Sequence, residues 1–255
     1  RGLLQHRRRD GLAAVLCEDS IPLCFDLLDP YRAARPEPGA GPLSASAPRE
    51  PEAGRNARCL VYLPADHPQL DSLIQGLREA RTEGIAYVRN ATEPVLDALR
   101  STRLAISTVP LDLDYWLPRV GAVLHHGGSG LAHRCLAAGL PQVLAPIYFE
   151  QGLTCNALQK LGVAIRLSGA EAAAKSGLAL RRVLDTPRFS ALAREHAADV
   201  RRRYPVGSLP RVIAACEARL APNSFSGSVK CADHPVHIIH SLENRIGART
   251  ACALV

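Results

Sequence analysis

Between an apolar run and a stretch of helical spacing, the chain carries His125, His126, Gly127, Gly128, Ser129 and Gly130 in immediate succession. Glycines at a strand-to-helix turn let the main chain approach a ligand closely. The unpaired amides and positive dipole end of the following helix favour an anion there. His126 is the imidazole beside the glycines, where a ring N–H can donate to the same anion. The chemistry predicted is a diphosphate cradle built from main-chain amides, Ser129 and one imidazole, with neither metal nor cofactor required. The alternative is a glycine-rich turn that merely closes tightly. Other phosphate motifs fit less well, because no Gly-Lys-Ser/Thr follows and His133 stands where a dinucleotide fingerprint needs its third glycine. Glu150 falls past Pro146, beyond the next predicted strand, which is a poor place for a ribose-binding carboxylate.

Three further constellations carry residue types able to do chemistry. Asp112 and Asp114 are separated by one residue, a spacing that can hold a divalent ion against phosphates. A turn or helix cap is the better reading, since the amide cradle already offsets phosphate charge. Cys231, His234, His237 and His240 recur at three-residue intervals and would gather on one helical face, but Pro235 interrupts that helix. Ser129 near His126 is better explained by the start of a helix than by a nucleophile and its base.

The elements that must position the glycine loop alternate along the chain. Short apolar runs at residues 59–63, 85–88, 104–108, 120–124, 142–145 and 163–167 read as strands. Residues 70–77, 94–100 and 153–161 read as helices between them, and a further helix follows the glycines. This rhythm predicts an α/β fold with a parallel, Rossmann-like sheet and helices on both faces. Helices follow at about 170–184, 189–203 and 208–219. Ahead of the sheet, residues 35–57 are rich in proline, glycine and alanine and read as a linker. Residues 1–34, with a candidate strand at 12–17, are too few to close a core and read as the remnant of an upstream domain. Residues 221–255 show no period and are expected to be a loosely attached tail. The predicted division is 1–34, 35–57, 58–220 and 221–255.

Composition narrows the function. The 255 residues are 47% apolar and 22% charged, which rules out disorder as the default. The net charge is +7, but the arginines are scattered and only 4% of residues are aromatic. The runs Arg7–Arg9 and Arg201–Arg203 therefore read as solvated faces, and no nucleic-acid partner is expected. No apolar run approaches the roughly 20 residues of a membrane span, although peripheral membrane contact stays open. Eight cysteines without regular spacing or a leading apolar signal segment predict reduced thiols and a cytoplasmic location. The absence of methionine, with Arg1 in first place, is read as a missing upstream part.

The run from Leu117 to Gly130, then Ala137-Ala138-Gly139-Leu140-Pro141-Gln142, then Glu150-Gln151, resembles the C-terminal, donor-binding half of GT-B nucleotide-sugar glycosyltransferases. Three motif parts at matching spacing are far more specific than one glycine loop. The resemblance is densest between Tyr115 and Gly162. It implies that His126 and the amides from Gly127 to Gly130 contact the diphosphate of a UDP- or TDP-sugar. Glu150 and Gln151 would hydrogen-bond the sugar hydroxyls, and Trp116 and Leu117, beside Tyr115, would frame the nucleoside.

Two positions depart from the family pattern. Leu131 stands where a hydroxyl residue is usual, and Arg134 replaces a ribose-binding glutamate, where it would contact the nucleoside or phosphate in its own way or face solvent. The implied activity is inverting transfer of a sugar to a hydroxyl on a lipid or small metabolite. The catalytic base would lie in an N-terminal acceptor half. The alternatives are a binding subunit served by a separate acceptor-domain polypeptide, and an epimerase-like or inactive relative.

Overall fold

Six parallel strands carry the predicted alternation: β1 (Cys59–Pro64), β2 (Glu83–Arg89), β3 (Arg103–Ser107), β4 (Ala122–His125), β5 (Gln142–Leu144) and β6 (Ala164–Arg166). The computed structural model describes residues 21–34, 37–43 and 58–220. The strand order is β3-β2-β1-β4-β5-β6. Leu60 of β1 lies opposite Ile85 on one side and Val123 on the other. Successive connections thus run outward from β1 in one direction and then, from β4, in the other. The polarity change falls between β1 and β4, at whose carboxyl ends sheets of this kind bind ligands.

Helices cover both faces, so neighbouring strand residues are buried into different clusters. Val61 and Leu124 face a cluster with Leu73, Leu77 and Leu180, while Leu60 and Val123 face one with Leu117, Cys135 and Leu140. Such two-sided burial explains why these strands read as continuous apolar runs rather than alternating ones.

The helices are α1 (Leu70–Glu79), α2 (Glu93–Arg100), α3 (Leu113–Trp116), α4 (Ser129–Ala137), α5 (Phe149–Lys160), α6 (Gly169–Ala173), α7 (Ser176–Asp185), α8 (Pro187–Arg203) and α9 (Leu209–Leu220). In α1 the buried residues Leu70, Leu73, Ile74 and Leu77 follow the 3.6-residue period.

Three expectations are corrected. The single helix predicted over 170–184 is broken into α6 and α7. At the break the Ser176 hydroxyl donates to the Leu73 carbonyl (2.7 Å), and Gly177 lies against the Gly76 backbone of α1. This docking ends α6 early. The helix predicted from residue 153 begins at Phe149, because Gln151 Oε1 accepts from the amides of Ile147 (2.8 Å) and Tyr148 (3.3 Å) and caps its start. The short helix α3 was not predicted. It forms because Asp112 accepts from the amides of Asp114 and Tyr115 as an N-cap.

The described parts of residues 1–57 are not separate from the sheet domain. Phe25 and Leu28 join a cluster with Leu136, Leu158 and Tyr204, and the Phe25 ring lies 5.1 Å from that of Tyr204. Asp26 accepts from the Gly39 amide (2.7 Å) and pairs with Arg203 (2.7 Å), and the Tyr204 hydroxyl donates to the Gly39 carbonyl (3.2 Å). The described residues up to Cys216 belong to one unit that reaches back before Arg58. The candidate strand at 12–17, the run Arg7–Arg9 and the tail with Cys231, His234, His237 and His240 lie outside the described residues. Among the described residues no helix is long and apolar enough to cross a membrane.

Candidate functional site: the carboxyl edge of β1 and β4

At the polarity change, β4 ends on His125 and runs through His126, Gly127 and Gly128 into α4. Gly127 has φ +84°, and a Cβ there would stand 2.8 Å from Cys155 Sγ of α5. Only glycine meets both demands at once. Its amide donates to His125 Nδ1 (3.1 Å). Gly127 is therefore corrected from an amide of the cradle to the hinge that shapes it, because its N–H is already used inside the protein.

The amides left at the turn belong to the start of α4. The N-cap is Gly128, with no side-chain cap, and the first intrahelical bond is from the Ala132 amide to the Gly128 carbonyl. Ser129, Gly130 and Leu131 thus present amides without intrahelical acceptors. A Cβ at Gly130 would meet nothing within 4 Å, so this side of the helix start faces open space. The exposed Ser129 is the first helical residue rather than the cap. The amides without intrahelical acceptors extend one residue past the expected Gly130, so that Leu131, which lacks the usual hydroxyl, still offers its N–H.

His126 is half-buried, and a Cβ at Gly128 would lie 2.8 Å from its Nε2, so the ring overhangs the loop. Burial pushes its pKa below the ordinary value. The neighbouring His67 ring and the Arg89 guanidinium add to that, while the Tyr62 backbone and the Asp66 carboxylate act in the opposite direction. The ring is neutral at pH 7. Its Nδ1 is buried without a hydrogen-bond partner. The ring keeps hydrogen-bonding capacity that the fold does not use.

Beneath it lies a layer of buried polar groups that sequence reasoning missed. His67, on the loop after β1, donates from Nε2 to the Ala145 carbonyl (2.8 Å) while Nδ1 accepts from the Gln69 amide (3.1 Å). The Ala145 amide donates to the His125 carbonyl (2.9 Å). This joins the loops after β1, β4 and β5. Its one sequence signal was a histidine just beyond the first strand.

His125 is fully buried, and burial pushes its pKa from 6.5 down to about 4. The unfolded chain therefore takes up this proton first as pH falls. The stabilisation is complete above about pH 6.5 and is lost as pH drops towards 4, with a total on the order of 3 kcal/mol. Between pH 7 and pH 4.5 the urea midpoint of a His125→Gln variant is expected to fall by less than that of the wild type. Equal falls would remove His125 from the acid sensitivity.

The remaining predicted residues are distributed as follows. Glu150 lies exposed in the first turn of α5, at the same edge of the sheet. Gln151 is buried with its carbonyl oxygen in the cap of α5, which leaves its amide nitrogen as the available end. Leu117 is 4% exposed within the core cluster of that face, so the expectation that its side chain frames a nucleoside is corrected. Trp116 is half-buried over the same cluster and meets Tyr115 edge-on, ring centroids 5.3 Å apart. Arg134 pairs with Asp114 (2.6 Å). With Asp112 capping α3, both carboxylates of the Asp-x-Asp pair have structural partners. Among the described residues no three His, Cys, Asp or Glu side chains gather as a metal site.

Residues 72–213, more than half of the chain, match the family model for the C-terminal domain of erythromycin biosynthesis protein CIII-like proteins. The chain belongs to this family. The chain is 40% identical over 85 residues to the elloramycin glycosyltransferase ElmGT of Streptomyces olivaceus, a match covering 33% of this chain and 21% of the relative. It is 34% identical over 87 residues to a sterol 3-beta-glucosyltransferase of Eremothecium gossypii, covering 34% of this chain and 7% of the relative. These matches span well under two thirds of either relative. The crystal structure of the glycotransferase of kitacinnamycin superposes with a TM-score of 0.59 at 17% identity, over 79% of this chain and 54% of that one. The shared architecture is the C-terminal Rossmann-like half of the GT-B fold.

Proposed function

We propose that this chain is the donor-binding half of an inverting glycosyltransferase. It would take a sugar from a UDP- or TDP-sugar to a hydroxyl of an apolar acceptor, such as a lipid or small secondary metabolite. The observation that carries the reading is the uncapped start of α4, with open space over Gly130 and the overhanging His126 ring, at the polarity change of the sheet. An anion at this place meets several N–H groups and the positive end of the helix. Family membership supports the assignment of that anion to the diphosphate of an activated sugar.

In the transfer, the acceptor oxygen attacks the anomeric carbon as the bond from that carbon to the diphosphate breaks. The acceptor proton passes to a base expected on the acceptor half, and the bonding electrons leave with the diphosphate. That group gains one negative charge during the step. This chain's residues stabilise the gain through the amides of Ser129, Gly130 and Leu131 and through His126. A more negative diphosphate also favours a proton on the His126 ring. Glu150, with its acceptor oxygens, would orient the sugar hydroxyls from the next loop, assisted by the amide nitrogen of Gln151. Tyr148 (59% exposed) and Phe149 (80% exposed) immediately precede Glu150 and offer apolar surface suited to such an acceptor.

Calorimetric titration of the chain with UDP, TDP and their sugars is the direct test, and Gly130→Glu sharpens it. The open space at Gly130 accommodates the new side chain, and a carboxylate in the first turn stabilises a helix by about 0.3 to 1 kcal/mol. The variant is expected to melt no lower than the wild type while its donor affinity drops tenfold or more. Undiminished affinity would place the diphosphate elsewhere.

A further inference from the structure

The buried pair beneath the glycine loop has no part in the donor contacts described above, yet it controls their geometry. His125 is the last residue of β4 and Gln142 the first of β5, and both are 0% exposed. His125 Nδ1 accepts from the Gly127 amide, so it carries no proton. The neutral ring must then hold its proton on Nε2, which lies 2.9 Å from Gln142 Oε1. A buried glutamine and a buried histidine are costly among apolar strands unless satisfied, and here each satisfies the other.

We propose that His125 and Gln142 are a positioning pair. Gln142 fixes His125 in the Nε2–H form, and the free Nδ1 then holds the Gly127 amide, setting the turn that aims the amides of α4 and the His126 ring at the donor. The proposal rests on the donor-site reading. Gly127 at φ +84° is held from two sides, by His125 Nδ1 through its amide and by Cys155 packed against its Cα. If Nδ1 gains a proton, two donors face each other and the turn loses its anchor. Burial and the neighbouring His126 both disfavour that proton. Tyr62 stands in register with His125 on β1, and Cys155 of α5, whose thiol burial pushes up to about 11, packs against Gly127. His133 of α4 meets the turn at the Ser129 carbonyl (2.6 Å), and His67, Arg89 and Asp66 act on the neighbouring His126.

The test is Gln142→Glu in the whole chain, with Gln142→Met as the uncharged control of similar length. A carboxylate beside Nε2–H favours the imidazolium and raises the pKa of His125. Affinity for UDP-glucose or TDP-glucose, measured from pH 5.5 to 8.5 and divided by the wild-type value, is expected to fall about tenfold per pH unit below that raised pKa in Gln142→Glu. In Gln142→Met the ratio is expected to be reduced but level. Imidazole nitrogen NMR should show His125 Nδ1 unprotonated in the wild type and protonated in Gln142→Glu over the same pH range. The Gly127 amide should lose protection from hydrogen exchange as it does so.

Parallel pH profiles for the two variants, or a wild-type His125 protonated on Nδ1, would overturn the proposal. If the wild type binds neither sugar nucleotide, the donor reading fails by itself. Gly127 exchange then decides the pair: protection lost with the His125 proton upholds its hold on the turn, and unchanged protection refutes it.

Discussion

In an active preparation containing this chain, His126→Ala is expected to lower kcat by about 10²- to 10³-fold, equivalent to about 2.7 to 4 kcal/mol of transition-state stabilisation. The loss should fall on kcat more than on KM. A nucleotide-sugar diphosphate carries two negative charges as bound and approaches three as the sugar departs, so a donor aimed at it is worth more late in the reaction than early. The neutral resting state of His126 adds to this difference. Burial and the Arg89 charge keep the ring uncharged at neutral pH, and the growing charge of a bound diphosphate would reverse that balance. Turnover within threefold of the wild type would refute the assigned role. A loss confined to KM would reduce His126 to a ground-state contact.

Gly76→Val is expected to give the largest loss of stability away from the site. A Cβ at Gly76 would stand 2.3 Å from the Ala174 carbonyl oxygen and 2.6 Å from Ser176 Oγ, and one at Gly177 would stand 2.3 Å from the Gly76 carbonyl oxygen. The nearest obstacle in each case is backbone, which cannot rotate out of the way. Helices α1 and α7 must therefore move apart, opening the cluster that holds Leu73, Leu77 and Leu180. Overpacking of this kind costs about 1 to 3 kcal/mol, and each kcal/mol lowers the melting temperature of a domain this size by about 2 to 4 °C. Because α1 and α7 pack on one face of the sheet and the glycine loop lies at its carboxyl edge, donor affinity measured well below the melting point should stay near the wild-type value. An unchanged melting temperature would mean that the two helices are not held in contact there.

The helices and strands were legible where one periodicity governed a segment. Leu70, Leu73, Ile74 and Leu77 could only line a helix, and the apolar runs around Val61, Ala86 and Leu124 could only be strands buried on both sides. The boundaries failed where a distant residue ended or extended an element. Ser176 reaches the Leu73 carbonyl 103 residues away and helps to divide what periodicity presents as one helix. The motif reads Gln151 as a sugar ligand and gives no sign that its carbonyl oxygen caps the start of its own helix, which leaves only the amide nitrogen for that role.

The same limit shaped the site. From its sequence this chain determined that glycines and an imidazole would meet at the end of a strand, because residue types and their order are local properties. Which N–H groups point outward was decided by the tertiary structure. His125 binds the Gly127 amide only because β5 brings Gln142 alongside, and His67 reaches the site only because β1 and β4 are neighbours in space. Hydrogen bonds between residues far apart in the chain leave no periodic trace. The motif located the site, and the packing of parallel strands chose the amides that face it.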